Sequence, residues 1–202
     1  MSAAPSLVYV VDDDDAMRDS LRWLLESTGY RVAAYATAER FLSAYKPGTA
    51  ACVVLDVRMP GRSGLELQQE LNRRGETLPI IFITGHGDVP MAARAFRAEA
   101  VDFIEKPFND QLLLDRVHEA LETSRRAWEA QARKAHVRAL LARLTPRERQ
   151  VADLVVQGKP NKVIAAEINL SLKTVEVHRH NVMDKLEVAS VSDLTRLLLE
   201  AE

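Results

Sequence analysis

The sequence predicts an α/β protein: a five-stranded doubly wound parallel sheet followed by a small all-α domain. Three observations carry this. Short β-rich runs alternate with helical stretches through the first 120 residues, at Leu7 to Val11, Arg31 to Tyr35, Cys52 to Leu55, Ile80 to Ile83 and Val101 to Ile104. The first and third runs are almost continuously apolar, the pattern of strands covered on both faces. From Leu144 onward strands give way to closely spaced short helices.

Alternation of strand and helix implies βα units and a parallel sheet with helices on each side. Ligands bind such sheets at the carboxyl ends of the strands, so the chemistry is expected there. After the fifth strand no glycine or proline occurs between Pro107 and Pro146, and Ala, Leu, Arg, Glu and Gln dominate. A helix with Asn109 as N-cap then runs through Trp128 to about Leu141; the competing reading is a break near Ser124 followed by a separate short helix. Thr145-Pro146-Arg147-Glu148 is a capping box with proline at the first helical position, and that helix should end near Gly158. Further helices are expected at Asn161 to Ile168, Leu172 to Leu186 and Ser192 to Leu199. The expected divisions are a sheet domain over 1–124, a helical linker over 125–143 and the helical domain over 144–202.

With 202 residues, 47% of them apolar, the chain can bury two modest cores. It shows no basic, apolar leader and no apolar run near the roughly 18 residues that span a bilayer. A cytoplasmic protein without membrane contact is expected. Cys52 is the single cysteine, so disulfide frameworks and cysteine-rich zinc sites are excluded, and its apolar neighbours make it a buried small hydrophobe. Residues 1–125 carry 14 Lys and Arg against 19 Asp and Glu, a net −5, whereas residues 126–202 carry 13 against 10, a net +3. The acidic half suits a cation and the basic half a polyanion, although solvated surfaces produce such imbalances too.

Strand one ends in Val11-Asp12-Asp13-Asp14-Asp15 and strand three in Leu55-Asp56, which brings carboxylates from two strands to one sheet edge. Clustered carboxylates repel and raise one another's pKa, and a hard cation such as Mg2+ relieves this by taking their oxygens as ligands. Asp14 and Asp15 are read instead as a solvated loop containing a helix N-cap. Thr84 ends strand four and Lys106 follows strand five. An Asp nucleophile, a metal held by acids, a hydroxyl and an ammonium together meet the needs of a transferred phosphoryl group, where positioning and charge neutralisation dominate.

On these residues, 6–122 resemble the flavodoxin-like receiver domain of bacterial two-component response regulators. Asp56-Val57-Arg58-Met59-Pro60-Gly61 and Thr84-Gly85-His86-Gly87-Asp88-Val89-Pro90 are similar to the FixJ subgroup. The resemblance implies that Asp56 accepts phosphate from a sensor histidine kinase. It also implies that Asp13 and Asp56 hold Mg2+ with the Arg58 carbonyl, and that Asp12 acts through water. Thr84 would bond the phosphoryl group, Lys106 would pair with it, Phe103 would change rotamer, and Lys106-Pro107 would be cis. Phosphorylation is expected to produce a homodimer through the segment from Val89 to Ile104. The chain departs from the pattern at Ala98-Glu99-Ala100, where glycine is usual.

In the second half, Asn161-Lys162-Val163-Ile164-Ala165 and Ser171-Leu172-Lys173-Thr174-Val175-Glu176-Val177-His178 resemble the helix-turn-helix of LuxR-type regulators, over residues 144–200. On a helical wheel Val175, Val182 and Leu186, flanked by His178 and Arg179, share one face, while Lys173, Glu176, Val177, His180 and Asp184 share the other. Such a helix can be held on one side and read bases in a major groove with the other. Lys162, Lys173, Arg179 and Lys185 are candidate phosphate contacts, Thr174, Glu176, Val177 and His180 complete the candidate DNA-binding set, and His178 is read as a hydrogen-bonded core histidine. Asn169 replaces a usual glycine in the turn and tolerates the left-handed conformation. The function implied is a non-enzymatic transcription factor meeting promoter DNA and RNA polymerase, with at most slow autodephosphorylation, and activation rather than repression of transcription is expected. A phosphohydrolase would leave the helical module unexplained, and an interaction protein that merely dimerises through it would not bind promoter DNA.

Overall fold

Five parallel strands, β1 (Leu7–Val11), β2 (Arg31–Tyr35), β3 (Ala51–Asp56), β4 (Ile80–Thr84) and β5 (Asp102–Glu105), form one sheet in the order β2-β1-β3-β4-β5. They belong to a computed structural model that describes residues 6–85 and 102–200. The strand β3 is one residue longer at each end than its apolar run, because Ala51 and Asp56 continue the ladders to β1 and β4. Val101 lies outside the described residues.

Side chains alternate across each strand, so the two faces collect different cores. On one face Tyr9, Val11, Val53, Leu55 and Phe82 meet α2 (Ala38–Ala44) and α3 (Gly64–Arg73) through Phe41, Leu67 and Leu71. On the other, Val8, Val10, Val54, Ile81 and Ile83 meet α1 (Asp15–Ser27) and the first turns of α4 (Asp110–Leu141) through Leu25, Leu113 and Val117. Cys52 is fully buried in this second core, and burial pushes its thiol up, away from the reactive thiolate form.

Helix starts follow the expected caps. Asp14 Oδ1 accepts hydrogen bonds from the amides of Ala16 and Met17, and Asn109 Oδ1 accepts from Gln111. α4 is unbroken at Ser124, whose hydroxyl accepts a hydrogen bond from the first amide of β3, Ala51, at 3.0 Å. The chain divides into two compact units at Trp128.

The second unit contains α5 (Pro146–Val156), α6 (Asn161–Glu167), α7 (Leu172–Lys185) and α8 (Val191–Leu199). Thr145 and Glu148 close the reciprocal capping box before α5. Asn169 adopts φ 53°, the left-handed turn expected between α6 and α7. Val151, Ile164, Val175, Val182, Leu186 and Leu194 interlock as the core. Among the described residues, no helix is long and apolar enough to cross a membrane.

Candidate functional site

The register Val11↔Leu55 between β1 and β3 places Asp12 and Asp56 side by side where both strands end. Asp12 is buried. Its Oδ1 accepts the amide of Asp14 at 2.9 Å, and its Oδ2 accepts the ammonium of Lys106 at 2.9 Å. One oxygen each from Asp12, Asp13 and Asp56 lies within 4.8 Å of the others. Three hard oxygen donors so close together suit a small divalent cation, whereas nitrogen- or sulfur-preferring metals find no matching ligand among them.

Burial pushes the Asp56 carboxyl above its ordinary value. The Lys106 ammonium pulls it back, the Asp12 charge raises it again, and the amides of Arg58 and Val57 lower it. Lys106 Nζ stands 3.7 Å from Asp56 Oδ2, farther than from Asp12. The fully buried Thr84 ends β4, and its carbonyl accepts the Lys106 amide at 2.7 Å, which ties the ends of β4 and β5 together. Phe103 is half-buried, its ring 6.5 Å from that of Phe82, and the Lys106–Pro107 bond is cis. Arg58 is exposed beside the site. His86 to Pro90, the Ala98-Glu99-Ala100 departure and most of the expected dimer segment from Val89 lie outside the described residues.

Two residues at this edge escaped the motif reading. Arg18 on α1 is largely buried, donates to the Asp12 carbonyl at 2.6 Å and pairs with Asp15. Its spacing from Asp14 and Asp15 along one helix turn was the available signal. Gly64, the first residue of α3, abuts the phosphoacceptor candidate itself: a Cβ there would stand 2.2 Å from the Asp56 carbonyl oxygen. Its amide donates to the Val57 carbonyl at 3.0 Å.

On α7 the expected two faces separate. Val175, Val182 and Leu186 are buried, while Lys173, Glu176, Val177, His180 and Asp184 are exposed. Thr174 is half-buried, with its hydroxyl 2.7 Å from that of Ser171, and Lys162 on α6 is exposed. The phosphate-contact candidates divide. Lys185 is held by the buried Glu148 at 2.6 Å and Arg179 donates to Asn161 at 2.8 Å, so both already have internal partners. Lys162 and Lys173 have no ion-pair partner among the described residues. The expectation of a hydrogen-bonded His178 is corrected: the residue is half-buried, but its Nδ1 is buried without a hydrogen-bond partner, since a place beside the apolar stripe of a helix excludes water without supplying an acceptor or donor.

Residues 8–118 match the family model of the response regulator receiver domain, and residues 142–198 match that of bacterial regulatory proteins of the luxR family. The transcriptional regulatory protein FixJ of Azorhizobium caulinodans is 46% identical over 96% of this chain and 92% of its own length. The response regulator protein TmoT of Ectopseudomonas mendocina is 43% identical over 98% of this chain and 90% of its own. Among solved structures, the response regulator StyR superposes with a TM-score of 0.93 at 43% identity, covering 98% of this chain and all of that one. With a receiver unit carrying an acidic strand-end pocket and a LuxR-family unit carrying a two-faced helix, the chain belongs to the transcriptional response regulators of two-component systems.

Proposed function

We propose that Asp56 is the phosphoacceptor of this regulator and that its phosphorylation promotes homodimerisation and promoter binding. The observation that carries the reading is the convergence of the Asp12, Asp13 and Asp56 carboxylates within 4.8 Å, with Lys106 beside two of them. A carboxylate oxygen of Asp56 attacks the phosphorus of a kinase phosphohistidine, the P–N bond breaks, and the imidazole nitrogen keeps the electron pair. Mg2+ held by the carboxylates of Asp13 and Asp56 and the Arg58 carbonyl, with Asp12 acting through water, would supply neutralisation of the negative charge on the phosphoryl oxygens. Lys106 pairs with one of those oxygens and Thr84 donates its hydroxyl to another, while Phe103 repacks in response. Hydrolysis of the phosphoaspartate is at most slow, and the chain turns over no external substrate.

In this reading residues 1–124 are the receiver, 125–143 a helical linker and 144–202 the DNA-binding domain. Bases are read by Thr174, Glu176, Val177 and His180, and phosphates are met by Lys162 and Lys173, with Arg179 and Lys185 bracing the motif. The protein works in the cytoplasm with a sensor histidine kinase, promoter DNA and RNA polymerase. Acetyl phosphate with Mg2+ should add one phosphate by mass; EDTA should abolish it. Labelling that persists in Asp56→Asn defeats the assignment.

A further inference from the structure

We infer that Glu176 is the specificity-determining carboxylate of this regulator and that it accepts a hydrogen bond from the exocyclic N4 amino group of a cytosine in the major groove. The inference rests on the proposed role of α7 in reading DNA. What carries it further is the way acids are distributed over the second unit. Six carboxylates there, Glu148 and Glu187 among them, are ion-paired to Lys or Arg at 2.6 to 3.7 Å. Glu176 is exposed and has no ion pair or hydrogen bond among the described residues, although Lys173 and His180 stand one turn to either side on the same face. Asp184 shares this condition but lies near the end of α7, whereas Glu176 is its fifth residue. The N-terminal residues of a recognition helix are the ones that reach base edges.

A bare carboxylate on a face turned toward a polyanion opposes binding through its charge, and the duplex presents about one phosphate charge per 1.7 Å of axis. Only a donor on the nucleic acid offsets that. Guanine shows two acceptors in the major groove, thymine an acceptor and a methyl group, and adenine a donor beside the acceptor N7. Cytosine alone shows a donor with no acceptor next to it. An acceptor-only carboxylate therefore gains at cytosine and is repelled, to differing degrees, at the other three. Glu176 also lowers affinity for random DNA, where its charge is uncompensated, and so widens the gap between specific and non-specific binding.

The test uses the full chain, treated with acetyl phosphate and Mg2+, to select duplexes from a randomised pool, followed by titration of the selected site. Wild type should select a C·G pair at one position of each half-site, and C·G→T·A there should weaken binding about tenfold. Glu176→Ala should lose the preference at that position alone and bind random duplex a few-fold tighter. Glu176→Gln should move the preference toward adenine, whose donor and acceptor an amide matches. The same consensus from wild type and Glu176→Ala, or a Glu176-dependent preference for a base other than cytosine, overturns the inference and leaves DNA reading by α7 intact. No consensus from wild type overturns the reading beneath it.

Discussion

Lys106 Nζ lies 2.9 Å from Asp12 Oδ2 and 3.7 Å from Asp56 Oδ2, so the lysine serves chiefly the buried acid that follows β1. Asp12 has little water around it, and removing the ammonium leaves its charge unpaired. Lys106→Met should therefore cost about 1.5–3 kcal/mol in urea unfolding without Mg2+. Added Mg2+ should recover part of this loss, since a cation can replace the ammonium as counter-charge. Equal stability of variant and wild type in EDTA would show that the pair is not what holds Asp12.

Asp56 carries the reciprocal cost. Burial binds its proton more tightly in the folded chain than in the unfolded one, so its contribution is most favourable below the ordinary carboxylate pKa and is lost as pH rises through the raised folded value. In EDTA, Asp56→Asn should match wild type in acid and become the more thermostable of the two toward neutral pH. Saturating Mg2+ should reverse the order, adding about 2.7 kcal/mol to wild type at a hundred times Kd and less to the variant. Thermal unfolding across pH, with and without Mg2+, reads both effects.

Gly64 tests whether the backbone under Asp56 has room to move. An alanine Cβ would press on the Asp56 carbonyl oxygen at 2.2 Å and on Leu55 Cγ at 3.1 Å, so either α3 or the end of β3 must shift. Gly64→Ala should lose about 1–3 kcal/mol of stability and slow labelling by acetyl phosphate. Unchanged labelling kinetics in a folded variant would mean that α3 yields while Asp56 stays in place.

The strands were legible because their apolar runs are short and bounded, and the acids because they fall where such strands end. The capping box at Thr145 and the left-handed Asn169 were legible because each is a local backbone requirement that few residue types meet. Gly64 was not: its role is a close approach between α3 and β3, and nothing in the neighbouring sequence encodes it. The same holds for Lys185 and Arg179. A wheel shows which way a cation points along its own helix, but their partners Glu148 and Asn161 lie 37 and 18 residues away in the chain. His178 is the opposite case: its place beside the apolar stripe is legible on the wheel, but such a place does not by itself bring a hydrogen-bond partner.

Glu148 links the start of α5 to the end of α7. Burial would raise its carboxyl, but the Lys185 ammonium and the amide and hydroxyl of Thr145 outweigh this and hold it at about 2. Its stabilisation is complete above the unfolded value near 4.3 and is lost as pH falls toward about 2. Glu148→Gln should flatten that acid limb and cost about 1–3 kcal/mol at neutral pH. Hydrogen exchange along α5 and α7 between pH 5 and 3 measures the limb directly; identical curves for variant and wild type would remove the link.

The cations of the second unit should separate into two kinds, according to the partners they already have. Lys162 and Lys173 are exposed and have no ion pair among the described residues, so binding phosphates displaces only their counterions. Lys162→Ala and Lys173→Ala should each flatten the slope of log K against log salt by about one unit, while leaving thermal stability within about 0.5 kcal/mol. Lys162→Ala should do so alike on all sequences, because phosphates carry no sequence information. Lys185 is different: it neutralises a buried carboxylate, and a phosphate must compete with Glu148 for it. Lys185→Ala should therefore destabilise the unit by about 2–3 kcal/mol and lower the fraction of chain able to bind, with the salt slope of the remaining folded protein nearly unchanged. A slope reduced by one in a fully folded Lys185→Ala would return that lysine to the phosphate contacts and make its pairing with Glu148 a feature of the DNA-free state alone.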